Sequence, residues 1–451
     1  MRNGLPLHLQ QNLQHTHQAP SIGTLVDLGI AMHEADTSGE GRFIKAGYTY
    51  LGQFIDHDMS KLSTSNTPVD ANHGVENAVN HATPQLDLMS MYGTGFNDIS
   101  APVNTTTGHL RLSPILDSQG RIDHRRLYDL PRRADKTAII PDPRNDAHLL
   151  LAQFHTLFMR FHNKVASILF PFTHNGEATY QQARAYVIES YKHIIVEDFL
   201  KTILHPQIWA FYFDKPASQL HCYWNKDTES GLPLAFNGAA FRFGHAMVKD
   251  AYFLNSQSDR VTLSDLFLFT GKNNLGGYHH LPEWLTVDWS MFFSPHAQQA
   301  RTIKPSTIIE VPDKAWPNGQ LAIVNLLRGR ALNLPDAWTM IKEIKATLPN
   351  DIRPLLKAIP KDKIFDKGLT NFNHIPNKRD IIDSPPLWYY VLREVKALGK
   401  RKHLGPLASF IVGDTFAKLL KRGKWKGQHY PEQLQTPTKS ITALLDLVGK
   451  D

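Results

Sequence analysis

Cysteine is almost absent from this chain of 451 residues, in which Cys222 is the only one. A single cysteine excludes both an internal disulfide framework and a thiolate cluster for zinc or iron–sulfur chemistry. Long hydrophobic runs are absent too, because no stretch approaches the roughly 18–20 apolar residues that a membrane span needs. The amino-terminal segment lacks the basic, apolar and small-residue pattern of a secretory signal. We therefore expect no membrane span, while cytoplasmic and leaderless-export locations both stay open.

Charge is not concentrated in a way that points to nucleic acid. The formal net charge is +7, and the densest basic runs lie late in the chain, where a solvated helix face accounts for them. We predict no nucleic-acid partner, and the sequence does not fix an oligomeric state. The 23 histidines are so many that a single histidine needs further context before it is read as a ligand.

Strand-like alternation of polar and apolar residues is scarce, whereas helical periodicity recurs from about Ile22 onward. The sequence predicts a polar, Gln- and His-rich arm at 1–22 and one large, mainly α domain at 23–451, with very little β structure. A buried cofactor would make a single core of this size easier to form. The clearest predicted helices are Asn145–Phe170, Tyr180–Leu204, Asp336–Leu348, Pro386–Leu398 and Leu407–Lys421.

The first segment that indicates chemistry is Tyr48–Ser60, YTYLGQFIDHDMS. On a helix, Gln53, Asp56 and His57 share one face, while Asp58 and the large apolar residues point elsewhere. A satisfied core histidine is one interpretation. A metal site using His57 and Asp58 is another, but neighbouring residues project about 100° apart on a helix and are poorly placed to chelate one ion.

The second segment is Pro141–Ala166, PDPRNDAHLLLAQFHTLFMRFHNKVA. Its apolar periodicity predicts a long amphipathic helix after Arg144, with Asn145 or Asp146 as the cap.

Histidines recur every seven residues along this helix, at His148, His155 and His162. Positions two turns apart are separated by about 10 Å, too far to share one ion. We therefore expect structural roles for all three.

Two later segments complete the pattern. Asn237–Val248 (NGAAFRFGHAMV) places His245 after a glycine in an aromatic-rich helix, where an ordinary core histidine is the alternative interpretation. Leu321–Trp338 (LAIVNLLRGRALNLPDAW) contains Asn325 and Arg328, and an ordinary buried helix with surface arginines is the alternative there.

Together these segments resemble the animal-type haem peroxidases of the peroxidase–cyclooxygenase superfamily, over about residues 46–422. The resemblance implies a helical domain around a buried haem b. It also implies that His57 is the distal acid–base and Arg144 the catalytic arginine, with Gln53 as a distal hydrogen-bonding residue.

On the other side of the haem, the resemblance makes His245 the iron ligand. Asn325 would accept a hydrogen bond from the far ring nitrogen of His245, and Arg328 would pair with a haem propionate.

Covalent attachment of haem would use Asp56, which the resemblance matches to a residue that esterifies a haem methyl. Relatives often form a second ester three residues after the catalytic arginine, and some form a sulfonium link at the next position. Ala147 and His148 occupy these positions and support neither bond. We expect at most one ester.

A calcium site is implied less completely. Asp58, Thr83 and Asp87 match oxygen ligands of the family, and Gln85 would supply a backbone carbonyl. Met89 replaces the remaining oxygen ligand, and a thioether sulfur suits calcium badly.

The function implied is reduction of hydrogen peroxide with oxidation of a small donor, such as a phenol, a halide or thiocyanate. A fatty-acid dioxygenase of the same superfamily would need a radical-forming tyrosine three residues before the proximal histidine, where this chain has Arg242. Tyr48 and Tyr50 stay open as radical sites. A non-catalytic haem-binding protein is a further alternative, against which the three retained distal residues argue.

Overall fold

The computed structural model describes residues 5–6, 19–33, 40–63, 79–126, 128–224, 231–309, 320–365, 372–373, 375–422 and 430–449. Helices dominate these residues, which confirms the predicted fold class. The α-helices are α1 (Ile22–Ala31), α2 (Gly47–Met59), α3 (Met89–Tyr92), α4 (Leu149–Thr173), α5 (Gly176–Ile194), α6 (Lys201–Ile203), α7 (Pro206–Phe213), α8 (Leu234–Gly238), α9 (Leu263–Leu268), α10 (Ser290–Phe293), α11 (Leu321–Ala331), α12 (Ala337–Thr347), α13 (Lys378–Asp383), α14 (Leu387–Ala397), α15 (Pro406–Arg422) and α16 (Ile441–Val448).

The strands are short, and all of their pairings are antiparallel. They are β1 (Leu5–Pro6), β2 (Glu40–Lys45), β3 (Leu62–Ser63), β4 (Val79–Asn80), β5 (Ile115–Leu116), β6 (Ile122–Asp123), β7 (Ala251–Phe253), β8 (Arg260–Thr262) and β9 (Gln299–Arg301). The order β1-β4-β3 forms one sheet, and β2-β9, β5-β6 and β7-β8 form pairs. In the predicted arm at 1–22, strand β1 pairs with β4. Residues 1–4 and 7–18 lie outside the described residues. The domain bounds at 1–22 and 23–451 stay a prediction.

The start of α4 corrects the sequence prediction. Asn145 and Asp146 do not cap it, because both lie in a separate 3-10 turn, Pro143–Asp146. The cap is His148, which has extended backbone and accepts a hydrogen bond from the N–H of Leu151 on Nδ1. An imidazole nitrogen here satisfies one of the free N–H groups that every helix start presents.

The predicted helix at 180–204 is continuous but not uniform. It begins with α5, passes through a π-helical segment at Ile195–Leu200 and ends with α6. Asp198 in the π-helical segment accepts hydrogen bonds from the Tyr48 hydroxyl and from the N–H of Ile441. It thereby joins the starts of α2 and α16 to this helix.

The buried apolar side chains form one continuous cluster. Within it, α2 packs against α4 and against the segment Ala240–Ala246, which is a 3-10 helix rather than the helix predicted for 237–248. None of the helices in the described part of the chain has the length and hydrophobicity to cross a membrane.

Candidate functional site

A cavity of about 420 Å³ is lined by residues of α2 and of the 3-10 helix at 240–246. Most of the residues that the sequence singled out meet here, although they come from distant parts of the chain. Its lining includes Tyr48, Tyr50, Gln53, Asp56, His57, Arg144, His148, Arg242, Gly244, His245 and Arg328.

His57 faces this cavity, and Asn145 determines which of its ring nitrogens carries the proton. The Nδ1 atom lies 2.9 Å from Asn145 Oδ1, and because an amide oxygen only accepts hydrogen bonds, Nδ1 carries the proton. The Nε2 lone pair is therefore free. Loss of bulk water, and then the positive charge of Arg144, lower the pKa of His57. The ring therefore stays neutral at a lower pH than an ordinary histidine does.

Asn145 is itself held by His155. Its Nδ2 atom lies 3.0 Å from His155 Nδ1, and both residues are fully buried. Burial lowers the pKa of His155 to about 3, so the ring is neutral and Nδ1 can accept the amide proton. This contact determines which end of the Asn145 amide faces His57.

Arg144 is anchored at the same edge of the cavity. Its Nε and Nη2 atoms donate to the carboxylate of Asp142, and Nη2 also donates to the carbonyl oxygen of His57 at 3.0 Å. The guanidinium is thus fixed relative to the helix turn that carries His57.

Gln53 is oriented by His148. Because His148 Nδ1 accepts from the helix start, Nε2 carries the proton and donates to Gln53 Oε1 at 2.9 Å. Burial, and then the charge of His57, lower the pKa of His148 to about 3, so this donor stays neutral. The amide hydrogens of Gln53 remain available.

His245 stands in the other wall, and Asn325 contacts it as the sequence predicted. Loss of bulk water, and then the charges of Arg242 and Arg328, lower the pKa of His245 to about 3. A neutral imidazole in such a place can bind a metal.

The direction of the contact with Asn325 differs from the prediction. Asn325 Nδ2 lies 3.0 Å from His245 Nδ1 and also donates to the Leu321 carbonyl at 2.9 Å. In this arrangement the amide donates to the ring, because the carbonyl one turn earlier holds the amide nitrogen on that side. Iron ligation through Nε2 would need the proton on Nδ1, and the Asn325 amide would then have to turn over and lose its hydrogen bond to the Leu321 carbonyl.

Two arginines meet at the cavity edge. The charge of Arg242, and then burial, lower the pKa of Arg328 to about 9, and Arg328 Nε has no hydrogen-bond partner among the described residues. Arg242 donates from Nε to the carbonyl of Asn237 at 2.7 Å. The negative charge of Asp56 raises the pKa of both arginines, but one carboxylate does not balance two guanidinium groups. A ligand with anionic groups would.

The residues present therefore fit haem. His245 offers a neutral nitrogen for iron, and the unbalanced pair Arg242 and Arg328 suits the two propionates. Backbone at Gly244 faces open space, since a Cβ built there meets nothing within 4 Å. A flat ring can approach this wall closely.

The predicted calcium residues do not line this cavity. Asp58 and Asp87 interact electrostatically beneath α2, whereas the Thr83 hydroxyl donates to Met89 Sδ at 3.2 Å. Gln85 is exposed.

Four residues of the site were missed by sequence reasoning: Asn145, His148, His155 and Arg242. His148 and His155 were assigned structural roles, and the available signal was their seven-residue spacing on the helix that follows Arg144. Arg242 lies in the segment that contains His245, but no binding role was predicted for it.

Comparison with known proteins supplies independent information. The family model "Animal haem peroxidase" matches residues 59–425. A peroxidasin homolog (pxn-1) of Caenorhabditis elegans is 26% identical over 325 residues, covering 67% of this chain and 23% of that protein. Myeloperoxidase of Mus musculus is 28% identical over 223 residues, covering 45% of this chain and 30% of that protein. The chain thus spans well under half the length of these relatives.

Solved structures resemble the fold. Peroxidase A from Dictyostelium discoideum has a TM-score of 0.60 at 15% identity, covering 92% of this chain and 85% of that one. A fatty acid alpha-dioxygenase of Arabidopsis thaliana has a TM-score of 0.63 at 14% identity, covering 99% and 76%. At such identities the likeness concerns the fold alone.

The hydrogen bonds predict the tautomer of His57. We expect the Nδ1–H form in the wild type and in Asn145→Asp, because a carboxylate also accepts from Nδ1–H, and a mixture of tautomers in Asn145→Leu. Nitrogen-15 NMR of histidine-labelled protein measures this, with the His57 signal assigned by its absence from His57→Gln. A wild-type ring protonated on Nε2 would contradict the predicted arrangement.

Proposed function

Because this chain belongs to the animal haem peroxidase family, we propose that it uses hydrogen peroxide to oxidise a small donor, such as a phenol, a halide or thiocyanate. The observation that carries the proposal is that His57 and His245 line one cavity with Arg144 at its edge. His57 has a free Nε2 lone pair that can act as a base, and His245 offers a neutral ring nitrogen that can bind iron. Turnover of guaiacol by the purified, haem-loaded protein tests the proposal.

Haem would be held by His245 as iron ligand, with Asn325 orienting that ring and Arg242 and Arg328 binding the propionates. When bound, haem supplies the iron that accepts electrons from the donor and passes them to peroxide. The protein's own residues determine proton positions and charge around it.

His57 carries out the proton transfer. Its Nε2 lone pair takes the proton from one peroxide oxygen and returns it to the other, so that water leaves instead of hydroxide. While Nε2 holds the proton, Nδ1–H still donates to Asn145 Oδ1, which stabilises the charged ring. Neutral His155 keeps the Asn145 amide in the orientation that makes this possible.

Arg144 supplies positive charge for the developing oxygen anion. Its bonds to Asp142 and to the His57 carbonyl hold the guanidinium in place before the reaction, so little reorganisation is needed. The same charge also disfavours protonation of His57 in the resting site, which keeps the base ready.

Fatty-acid dioxygenation is the second candidate, favoured by the fold likeness to an alpha-dioxygenase and by Tyr50 in the cavity lining. It ranks lower because Phe241, Arg242 and Phe243 precede the proximal histidine, with no tyrosine there. Oxygen uptake with a fatty acid, without guaiacol turnover, would favour it.

Replacing the proximal histidine tests the assignment of the iron ligand. His245→Ala should abolish or greatly weaken haem binding, because the iron loses its bond to the protein. Haem titration followed by the Soret band measures this, with the exposed His124→Ala as control. An unchanged Soret band in His245→Ala would mean that another histidine binds iron.

The distal residues should affect the peroxide step without loss of haem. We expect His57→Leu to slow it by ~10²–10⁴-fold and Arg144→Gln by ~10²–10³-fold, as measured by stopped-flow absorbance. The exposed Arg125→Gln should react like wild type. Wild-type rates in both distal variants would refute the proposed roles.

The pH dependence of the same step tests whether the charge of Arg144 lowers the pKa of His57. Because the pKa of His57 is lowered, the wild-type rate should stay high below about pH 6.5, the ordinary histidine value, and fall in more acidic solution. Arg144→Gln removes a charge that lowers this pKa, so the acid limb should move to higher pH. An unmoved limb would show that a different group titrates.

Haem should carry at most one ester link, through Asp56. This carboxylate lines the cavity beside Gln53 and His57, whereas Ala147 and His148 provide no second carboxylate and no thioether. Acid–butanone extraction with mass spectrometry, before and after peroxide treatment, counts the links. Two links, or one that survives Asp56→Ala, would show that the haem orientation is wrong.

A further inference from the structure

Arg132 does not line the cavity, but its side chain joins two buried carboxylates close to it. The guanidinium donates to both oxygens of Asp129, from Nε at 2.6 Å and from Nη2 at 3.0 Å. It also donates to both oxygens of Asp146, from Nη1 at 2.9 Å and from Nη2 at 3.2 Å, and Nη1 reaches the carbonyl oxygen of Lys136 at 3.1 Å. These five hydrogen bonds equal the number of N–H groups in an arginine side chain. The guanidinium is therefore fixed in one orientation.

All three charged side chains are enclosed by the protein. The side chain of Arg132 is 6% exposed, and those of Asp129 and Asp146 are 2% and 7% exposed. A buried ion pair need not add net stability to a fold. Paired contacts between a guanidinium and a carboxylate do impose a definite geometry, so the position of Asp146 is what this network determines most directly.

Asp146 is the last residue of the 3-10 turn that also contains Arg144 and Asn145. Arg144 donates to the backbone carbonyl of His57, and Asn145 accepts from Nδ1 of the same residue. Because Asn145 directly precedes Asp146, a shift of the Asp146 carboxylate would also move the amide that holds the ring of His57. The contacts of Arg132 with Asp146 therefore bear on the base of the site through the backbone of one turn.

A third segment meets Asp146 at a place where a side chain would not fit. The N–H of Gly271 donates to Asp146 Oδ2 at 2.9 Å. A Cβ added at Gly271 would lie 2.5 Å from the Lys136 carbonyl oxygen and 2.8 Å from Asp146 Oδ2, so that one of these groups would have to move. Gly271 follows α9, whose Phe267 lines the cavity. The same carboxylate thus contacts the loop of Arg132, the turn before α4 and the segment after α9.

We propose that Arg132 is a positioning residue for His57. It fixes Asp146, and so fixes the turn that presents Arg144 and Asn145 to the base. Arg132 acts through these residues and takes no part in proton transfer. Its effect on the peroxide step rests on the proposed function, whereas its effect on the ring of His57 is a property of the protein alone and is measurable without turnover.

Two substitutions displace the Asp146 carboxylate in different ways. Asp146→Asn keeps the size of the side chain, but its NH₂ group opposes an N–H of Arg132 in either orientation. Gly271→Ala leaves every charge in place and pushes the carboxylate with a methyl group. Both should give a mixture of His57 tautomers in nitrogen-15 NMR of histidine-labelled protein, in place of the Nδ1–H form of the wild type.

Stopped-flow kinetics of the haem-loaded variants should show the same displacement. We expect the peroxide step to slow by ~10–10²-fold, because a misplacement of about 1 Å caused far from the chemistry can cost ~10²-fold. Haem affinity and the KM for guaiacol should not change. Arg132→Lys keeps the charge but cannot pair with both oxygens of two carboxylates, so it should behave like Asp146→Asn.

Two matched controls separate positioning from stability. Arg126→Met removes another arginine paired with a carboxylate, that of Glu283 at 2.6 Å, and should keep the wild-type tautomer and rate even where it lowers Tm. Gly23→Ala adds a methyl group where a Cβ meets nothing closer than 3.7 Å, and should match the wild type in every measurement.

A wild-type tautomer and rate in Asp146→Asn, Gly271→Ala and Arg132→Lys would overturn the proposal, even with a lower Tm, because an ion pair that only stabilises the fold changes nothing else. Loss of folding in all three variants would overturn it too, since the network would then hold the fold and not the turn. If one variant fails to fold, the other two give the result. Altered tautomers in the variants, together with a wild type that does not turn over guaiacol, would refute the proposed function and support the role of Arg132.

Discussion

Exclusion of bulk water from the two cavity histidines governs the chemistry that this site can perform. An imidazole serves as a base or a metal ligand only while one nitrogen keeps its lone pair. Removal from water, and then the charges of neighbouring arginines, lower the pKa of His57 and bring that of His245 to about 3. Neutral rings are thus imposed by the enclosure itself, before a substrate or cofactor is considered.

The same arginines make the cavity selective for a particular kind of ligand. Arg144 is balanced by Asp142 at the distal edge, whereas Arg242 and Arg328 share only the influence of Asp56. The excess positive charge therefore lies toward one edge of the cavity. A ligand with a metal at its centre and carboxylates along one side would relieve that repulsion, whereas a neutral apolar ligand would not.

The sequence could predict those parts of the structure that depend on local pattern. The five long helices follow apolar periodicity, and Gln53, Asp56 and His57 share a helical face that meets the cavity. The contacts made by Asn145 and His155 join residues ten positions apart across the start of a helix, and periodicity carries no information about them. The direction of the contact between Asn325 and His245 depends on a backbone carbonyl that no motif specifies.

The contacts that support His57 lie on the sides of its ring and helix that do not face the cavity. Asn145 and His155 fix its ring through Nδ1, and Asp58 ties its helix to the start of α3 by accepting hydrogen bonds from the N–H groups of Leu88 and Ser90. Both supports are enclosed: Asn145 and His155 are fully buried, and Asp58 is 1% exposed. Loss of either support would free the ring or the helix turn to move. Since a base must meet its proton within hydrogen-bond distance, these hydrogen bonds outside the cavity are what position Nε2 within it.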